Sequence, residues 1–236
     1  MKNKLHLLIL PALILILIAC SKDDENSTDL VTEEEAATLV EASISSRSGG
    51  AAATVTDLSA TAESVSGGPC NLPGDTTISV NGVNAFASYT YSNNLSWLLE
   101  CNNLGAPLQL TFNTTATAGF DAERWDGTSE SMGSLVLTGL QPQQMQYTAN
   151  GVMVLDGTVT GSLRQRDPSL QSSLDLALIN LTIRKSDQYI TGGTGNFTLT
   201  VTNGAGQSQM ISGSIVFYGD GTATISIGNR SYTITL

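Results

Sequence analysis

Histidine is almost absent from this sequence of 236 residues, since His6 is the only one and lies near the N-terminus. Histidine is the usual proton acceptor or donor near neutral pH and a frequent zinc ligand. A form lacking the apolar N-terminal segment 1–19 has no histidine at all. That absence excludes serine–histidine and cysteine–histidine catalysis and histidine-ligated zinc. We therefore expect a protein that is not an enzyme, with carboxylate chemistry as the remaining catalytic route.

Basic residues are also scarce. The chain has ten Lys and Arg but 21 Asp and Glu, which gives a net charge of −11. Surfaces that bind nucleic acid need clustered Lys and Arg to neutralise phosphates. We therefore expect no nucleic-acid partner. An acidic chain is also repelled by anionic membrane surfaces, so membrane attachment would need an anchor other than electrostatic attraction.

A short apolar run follows two lysines at the N-terminus. Lys2 and Lys4 precede residues 5–19, which are apolar except for His6 and one proline. This is the organisation of a secretory signal peptide. The run is also shorter than the roughly 20 residues that a helix needs to span a bilayer. The pattern predicts that residues 1–19 are a signal peptide that is removed on export.

The apolar run ends in Leu17-Ile18-Ala19-Cys20. This segment resembles the lipobox of bacterial lipoproteins, in which the cysteine thiol is diacylated, the chain is cut before it, and the new N-terminus is acylated. Several acyl chains on one residue hold a protein stably at a membrane, whereas one chain binds only marginally. The resemblance implies that Cys20 carries the lipid that anchors the protein.

Five polar residues follow Cys20, namely Ser21, Lys22, Asp23, Asp24 and Glu25. They resemble the acidic export signal that follows the lipidated cysteine in surface lipoproteins of Bacteroidetes-type bacteria. The resemblance implies a place on the outer membrane, facing the cell exterior. A solvated spacer is the alternative interpretation of these residues. No residue beyond 26 contributes to this resemblance, which therefore implies nothing about the globular part.

Two cysteines remain for the folded part of an exported chain. Exported proteins meet oxidising surroundings, in which disulfides persist. We therefore predict a disulfide between Cys70 and Cys101. The loop-entropy relation assigns it about 3–4 kcal/mol of stability. Two separate buried thiols are the alternative.

Composition divides the chain after the signal peptide into a lipidated acidic tether, residues 20–68, and a single all-β domain, residues 69–236. The tether includes one short helix at about 33–47, because Thr32 and Glu35 match a capping box and apolar residues follow at helical spacing. This helix is expected to cap or plug one end of the β structure, and a partner-binding helix is the alternative. The following residues, rich in Ala, Thr and Ser, are interpreted as a linker or an irregular first strand.

Short alternating runs broken by Gly, Asn and Asp predict strands from about residue 69 onward. No helical run separates them, which predicts an all-β fold: an antiparallel meander forming a sandwich or a barrel. Turns are expected at Asn81-Gly82, 92–94 and Asn150-Gly151, among other places. The run Leu174–Ile183 is apolar on both faces and predicts a central strand covered on both sides. The last strand, 231–236, is expected to pair inside the sheet.

The densest group of carboxylates in the domain lies between residues 121 and 130. Its candidate residues are Asp121, Glu123, Trp125, Asp126 and Glu130. Carboxylate oxygens on a glycine-bearing loop are ligands that calcium prefers, although the spacing does not fit an EF-hand. The segment is therefore interpreted as a possible ligand or calcium loop, and a solvated loop is the alternative. No other cofactor is expected.

Three functions remain open on this sequence. The first is a non-catalytic envelope protein that binds a glycan or another envelope protein, or coats the cell. The second is a glycan-directed hydrolase that uses two carboxylates. The third is a lipocalin-like carrier that encloses an apolar ligand in a barrel. The acids considered for hydrolysis are Glu100, Glu123, Glu130 and Asp156.

Aromatic residues make up only 6% of the chain, which is few for a protein that binds glycans. Aromatic rings are nevertheless the natural surface on which sugars stack. The candidates for such a platform are Trp97, Trp125, Tyr89, Tyr91 and Tyr147. Trp97 alternates with Leu95 and Leu99 and is expected in the core, so Trp125 is the better candidate among the two tryptophans.

Overall fold

The structure is a computed structural model that describes residues 29–83, 87–122, 125–161 and 169–236. The predicted signal peptide, the predicted lipidation site Cys20, the segment Ser21–Glu25 and Glu123 therefore lie outside the described residues. Helix α1 (Glu33–Ile44) and helix α2 (Ala51–Val65) are joined by a 3-10 turn at Ser46–Ser48. Ten strands follow: β1 (Pro73–Val83), β2 (Ala87–Cys101), β3 (Pro107–Ala122), β4 (Trp125–Thr138), β5 (Gln146–Gly161), β6 (Ser169–Arg184), β7 (Tyr189–Asn203), β8 (Ser208–Tyr218), β9 (Thr222–Ile227) and β10 (Arg230–Thr235).

The ten strands form one antiparallel sheet in which each strand pairs with the next in chain order. The predicted all-β antiparallel meander is thus confirmed. The described sheet does not close on itself, which is consistent with a sandwich, and β1 and β10 are its edges. The expectation that the last strand pairs inside the sheet is wrong. Strand β10 is instead short and lies beside α1, where the Glu41 carboxylate accepts a hydrogen bond of 3.4 Å from the Thr235 N–H.

Helix α1 begins as predicted. Thr32 Oγ1 accepts a hydrogen bond from the Glu35 N–H at 3.3 Å, and Glu35 Oε2 accepts one from the Thr32 N–H at 2.8 Å. This reciprocal pair satisfies two N–H groups at the helix start that have no partner within the helix.

The single short helix of the prediction is corrected to two helices. Residues 51–65, interpreted as linker or irregular strand, form α2 instead. Their Ala, Thr and Ser content gives a weak apolar pattern, but Val55, Leu58 and Ala62 recur at helical spacing and are at most 2% exposed. Packing of this narrow stripe against the sheet therefore decides the conformation, since a helix of this length is marginal alone.

Both helices pack on the same face of the sheet and share its hydrophobic core. Helix α1 contacts β6, β9 and β10, whereas α2 contacts β2, β3 and β5. The sheet therefore curves around the helix pair, from its first strands to its last. Its other face is lined mainly by exposed polar residues that alternate with the buried ones.

Strand β6 is not covered on both faces. Leu174, Leu176 and Leu178 are buried against the helices, and Leu181 and Ile183 are buried as well, whereas Ile179 is 39% exposed. Asn180 has a φ of 50°, and the register with β7 shifts at this point. This bulge inserts one residue, so the apolar residues on either side of it face the same way. The bulge therefore explains why apolar residues occupy both alternating sets of positions in Leu174–Ile183 although only one face of β6 is covered.

Three predicted turns lie inside strands. Asn81-Gly82 is in β1, residues 92–94 are in β2, and Asn150-Gly151 is at a register shift in β5. Asn93 is fully buried, with its side-chain oxygen accepting a hydrogen bond from Thr114 Oγ1 at 2.6 Å. An asparagine with buried partners can occupy a strand interior.

The predicted disulfide is confirmed. Cys70 and Cys101 are bonded, with their Cα atoms 5.7 Å apart. The bond ties the segment that leads into β1 to the end of β2. Cys101 packs against the hydrophobic core, on the same side of β2 as Leu95 and Leu99.

Candidate functional site

A crevice of about 530 Å³ lies between the 3-10 turn, α2 and the first three strands. Its wall includes Tyr89, Tyr91, Val80, Asp57, Thr56 and Ser48. This volume is in the range of sites that hold small molecules. The crevice thus combines aromatic rings, hydroxyls and one carboxylate in a space of useful size.

Strand β2 places the two tyrosines on the side that faces the helices, because residues two apart share a face. Tyr91 lies under the helix connection and is 8% exposed, whereas Tyr89, beyond that cover, is 39% exposed. Gly49 has a φ of +72°, and a Cβ there would lie 2.8 Å from Tyr91 Cδ2. The absence of a side chain at Gly49 therefore allows the connection to approach the Tyr91 ring.

A chain of hydrogen bonds fixes the carboxylate at the crevice wall. Asp57 Oδ2 accepts from the Tyr91 hydroxyl at 2.6 Å and from Asn93 Nδ2 at 2.9 Å. Asn93 in turn accepts from the buried Thr114. Burial, and then the hydrogen bond to Asp57, raises the pKa of Tyr91, so its hydroxyl stays protonated and donates.

Asp57 is half-buried and makes no ion pair with the described residues. None of the residues that line the described crevice is Lys or Arg. The carboxylate and the hydroxyls of Ser48 and Thr56 can accept hydrogen bonds from a polyhydroxylated ligand, and the tyrosine rings offer an apolar face. The arrangement suits the recognition of a sugar.

A second concave region, the outer groove, has a volume of about 590 Å³ and lies on the face of the sheet that the helices leave uncovered. It crosses β2 to β7 and is lined mostly by Thr and Ser, together with Glu130 and Asp156. These two acids are direct cross-strand partners. Directly opposed residues have Cβ atoms about 4.5–5.5 Å apart. Ser173 donates a hydrogen bond of 2.5 Å to Asp156, so one carboxylate of the pair is held by a neighbour.

Two of the four acids considered for hydrolysis thus meet. Glu100 does not join them, because it lies near the other end of β2 and accepts a hydrogen bond from Gln109 at 2.5 Å. Glu123 is outside the described residues.

The segment 121–130 is not the loop that was expected. Strand β3 continues to Ala122 and β4 begins at Trp125, so most of the segment belongs to paired strands. Thr128 and Glu130 are exposed polar residues within β4, and polar residues of this kind give an antiparallel strand the composition of a loop. The side chains of Asp121, Trp125 and Asp126 are outside the description, and Glu130 faces Asp156. Within the described ranges, no group of three or more His, Cys, Asp or Glu is placed to hold a metal ion.

The aromatic candidates separate into two groups. Trp97 packs against Phe112, with ring centroids 6.4 Å apart, and belongs to the core. Tyr147 is 1% exposed and donates a hydrogen bond of 2.8 Å to Glu63. Among the candidates whose side chains are described, which leaves out Trp125, only Tyr89 and Tyr91 line the crevice.

Thr56 and Asp57 were missed in the sequence, because residues 51–68 were interpreted as a linker or an irregular strand. The helical spacing of Val55, Leu58 and Ala62 was the signal that could have placed Asp57 on a helix.

No protein-family model, curated protein or solved structure matches this chain. None of the helices in the described ranges has the length and apolar character needed to cross a bilayer. Functional conclusions therefore depend on the crevice, the outer groove and the N-terminal sequence.

Proposed function

We propose that this chain is a lipoprotein of the outer membrane that faces the cell exterior and binds a glycan without catalysing a reaction. The observation that supports it most is the exposed ring of Tyr89 in a crevice that also presents the Asp57 carboxylate. Sugars have an apolar ring face that stacks on aromatic side chains, and hydroxyls that donate to carboxylates. Another envelope protein is the alternative partner.

The anchoring part of the proposal depends on Cys20 and the acidic residues after it. The chain enters the described fold at Val31, whose N–H and C=O both bond to the Gln209 side chain, at 2.9 and 3.2 Å. Residues 20–28 lie between the proposed lipid and this contact. The lipid would therefore be connected to the fold close to the β7–β8 hairpin.

Labelled fatty acid tests the anchor. The wild-type protein should incorporate the label and the Cys20→Ala variant should not, and equal labelling of both would refute lipidation at Cys20. Replacing Lys22, Asp23, Asp24 and Glu25 with alanine should protect the protein from protease added to intact cells, while it stays in the membrane fraction. Unchanged cleavage by the protease would show that these residues act only as a spacer and not as an export signal.

A glycan array probed with the purified protein tests the binding function. The expected result is a set of sugars whose binding is lost in Tyr89→Ala and kept in Tyr218→Ala. Tyr218 is a matched control because it is 42% exposed, close to Tyr89 at 39%, but does not line the crevice. An array without binders would contradict the proposal.

A hydrolase is the second candidate function, supported by the pairing of Glu130 with Asp156 in the outer groove. Hydrolysis of a glycosidic bond needs two carboxyl groups about 5–10 Å apart around the substrate. The test is a screen of polysaccharides, esters and peptides with and without calcium, which also covers the calcium interpretation of the 121–130 segment. Turnover lost in Glu130→Gln or Asp156→Asn would favour this function.

The carrier alternative gains no support. Side chains of α1 and α2 occupy the space inside the curve of the sheet, where an enclosed apolar ligand would otherwise lie.

A further inference from the structure

A second, smaller crevice adjoins the first at the connection between the helices. It has a volume of about 70 Å³ and is bordered by Tyr189, Gly221 and Leu236. Ser46 and Thr56 line both crevices. Residues of the first three strands border the larger crevice, residues from the last strands border the smaller one, and the two crevices adjoin at Ser46 and Thr56.

Each crevice has an exposed tyrosine. Tyr89 is 39% exposed in the first crevice and Tyr189 is 44% exposed at the second. Gly221 allows the position of Tyr189, because a Cβ on Gly221 would lie 2.3 Å from the Tyr189 hydroxyl. The guanidinium of Arg184 lies 5.9 Å from the centre of the Tyr189 ring, and Asp187 holds that guanidinium with a salt bridge of 2.8 Å. Tyr189 is thus supported by its surroundings although its side chain is exposed.

We propose that these two crevices form one extended site and that its ligand is a linear oligosaccharide rather than a single sugar. This inference rests on the proposed glycan-binding function. One sugar unit stacks on Tyr89 inside the larger crevice, and a later unit of the same chain lies over Tyr189. The hydroxyls of Ser46 and Thr56 contact the units between them.

The two volumes fit a chain that enters one crevice and passes over the other. The larger crevice matches a small-molecule site, and the smaller one is well below the range of about 300–1,000 Å³ for such sites. A sugar ring therefore enters only the first. Thr56 Oγ1 donates a hydrogen bond to the Ala52 carbonyl at 3.0 Å. The lone pairs of this hydroxyl oxygen can therefore accept a hydrogen bond from a sugar unit that lies between the two tyrosines.

The test measures affinity against chain length with the full-length protein purified in detergent. The probes are two linear series, α-1,4-linked and β-1,4-linked glucose oligomers of one to six units. In the series that binds, we expect the longest member to bind about tenfold more tightly than the dimer, as one added stacking contact implies. Tyr189→Ala should remove this gain and leave the affinity for the dimer unchanged. Tyr189→Phe, which keeps the ring, should retain the gain.

Three outcomes decide the matter. A gain with length that Tyr189→Ala removes and Tyr189→Phe keeps supports the extended site. Binding that depends on Tyr89 but not on chain length or on Tyr189 overturns the extended site and leaves the proposed function intact. No binding in either series, together with an array that shows no binder, overturns both. Tyr218→Ala serves as the control in each case, since its side chain lies outside both crevices.

Discussion

The hydroxyl of Tyr91 donates a hydrogen bond of 2.6 Å to the carboxylate of Asp57, and this contact joins strand β2 to helix α2. The same helix carries Glu63, which accepts a bond of 2.8 Å from the hydroxyl of Tyr147 on β5. Each contact requires a protonated tyrosine as donor. The docking of α2 on the sheet is therefore linked to the ionisation of two tyrosines.

Stability should fall in alkaline solution because of this link. Burial, followed by the bond to Asp57, raises the pKa of Tyr91 above its ordinary value of 10.0. A tyrosine whose pKa is higher in the folded than in the unfolded state stabilises the fold at pH values below the unfolded pKa. This stabilisation is lost as the pH rises through the folded-state pKa. The free energy of unfolding in urea should therefore decrease as pH rises above about 10. The decrease should be shallower in Tyr91→Phe, and equal slopes in the two proteins would contradict the linkage.

Removal of the disulfide should destabilise the protein without changing the fold. Cys70 and Cys101 are 31 residues apart in the sequence. Replacing both with serine should lower the free energy of unfolding by about 3–4 kcal/mol, since the unfolded chain gains freedom. Urea unfolding of the double variant and of oxidised wild type measures the difference. A change below about 1 kcal/mol would show that the bond adds little constraint to the segment before β1.

The bulge in β6 depends on a glycine in the neighbouring strand. Gly193 has a φ of +121°, and a Cβ there would lie 2.6 Å from the Cα of Leu181. Gly193→Ala should destabilise the fold by at least about 1–2 kcal/mol, because both the backbone conformation and the contact are unfavourable. Gly204→Ala is the control, as a Cβ there meets nothing within 4 Å. Thermal unfolding of the two variants should separate them, and equal midpoints would disprove the close approach.

Helix α2 should contribute to global stability. Leu58 is 2% exposed and belongs to the shared core, whereas Leu104 is 92% exposed. Leu58→Ala should cost about 2–5 kcal/mol of unfolding free energy. Leu104→Ala should stay within about 0.5 kcal/mol of wild type. Similar values for both variants would mean that α2 is an appendage and not part of the fold.

The sheet was largely predictable, because alternation along single strands records which face is buried. Leu95 and Leu99 illustrate this, since both face the core with Cys101 beside them. Strand ends were harder to predict. Asn81-Gly82 has the composition of a turn, yet it continues β1 because Tyr89 and its neighbours on β2 pair with it. Local turn preference is weaker than the energy of an extended ladder.

The candidate sites were less predictable because they depend on distant residues. Glu130 and Asp156 face each other only through the register of β4 and β5. Asp57 meets Tyr91 only because a segment poor in large apolar residues becomes a helix on the completed sheet. No local sequence pattern indicates that either pair of residues comes into contact.

The strand order has a consequence for how the chain acquires its structure during synthesis. Every strand pairs with the one made just before it, so the sheet can grow by successive hairpins as the chain emerges. The helices are made first, but α1 is covered by β9 and β10, which are the last strands in the described chain. Helices of 12 and 15 residues are marginal without such cover. Among the described elements, α1 is therefore synthesised earliest and waits longest for its native environment.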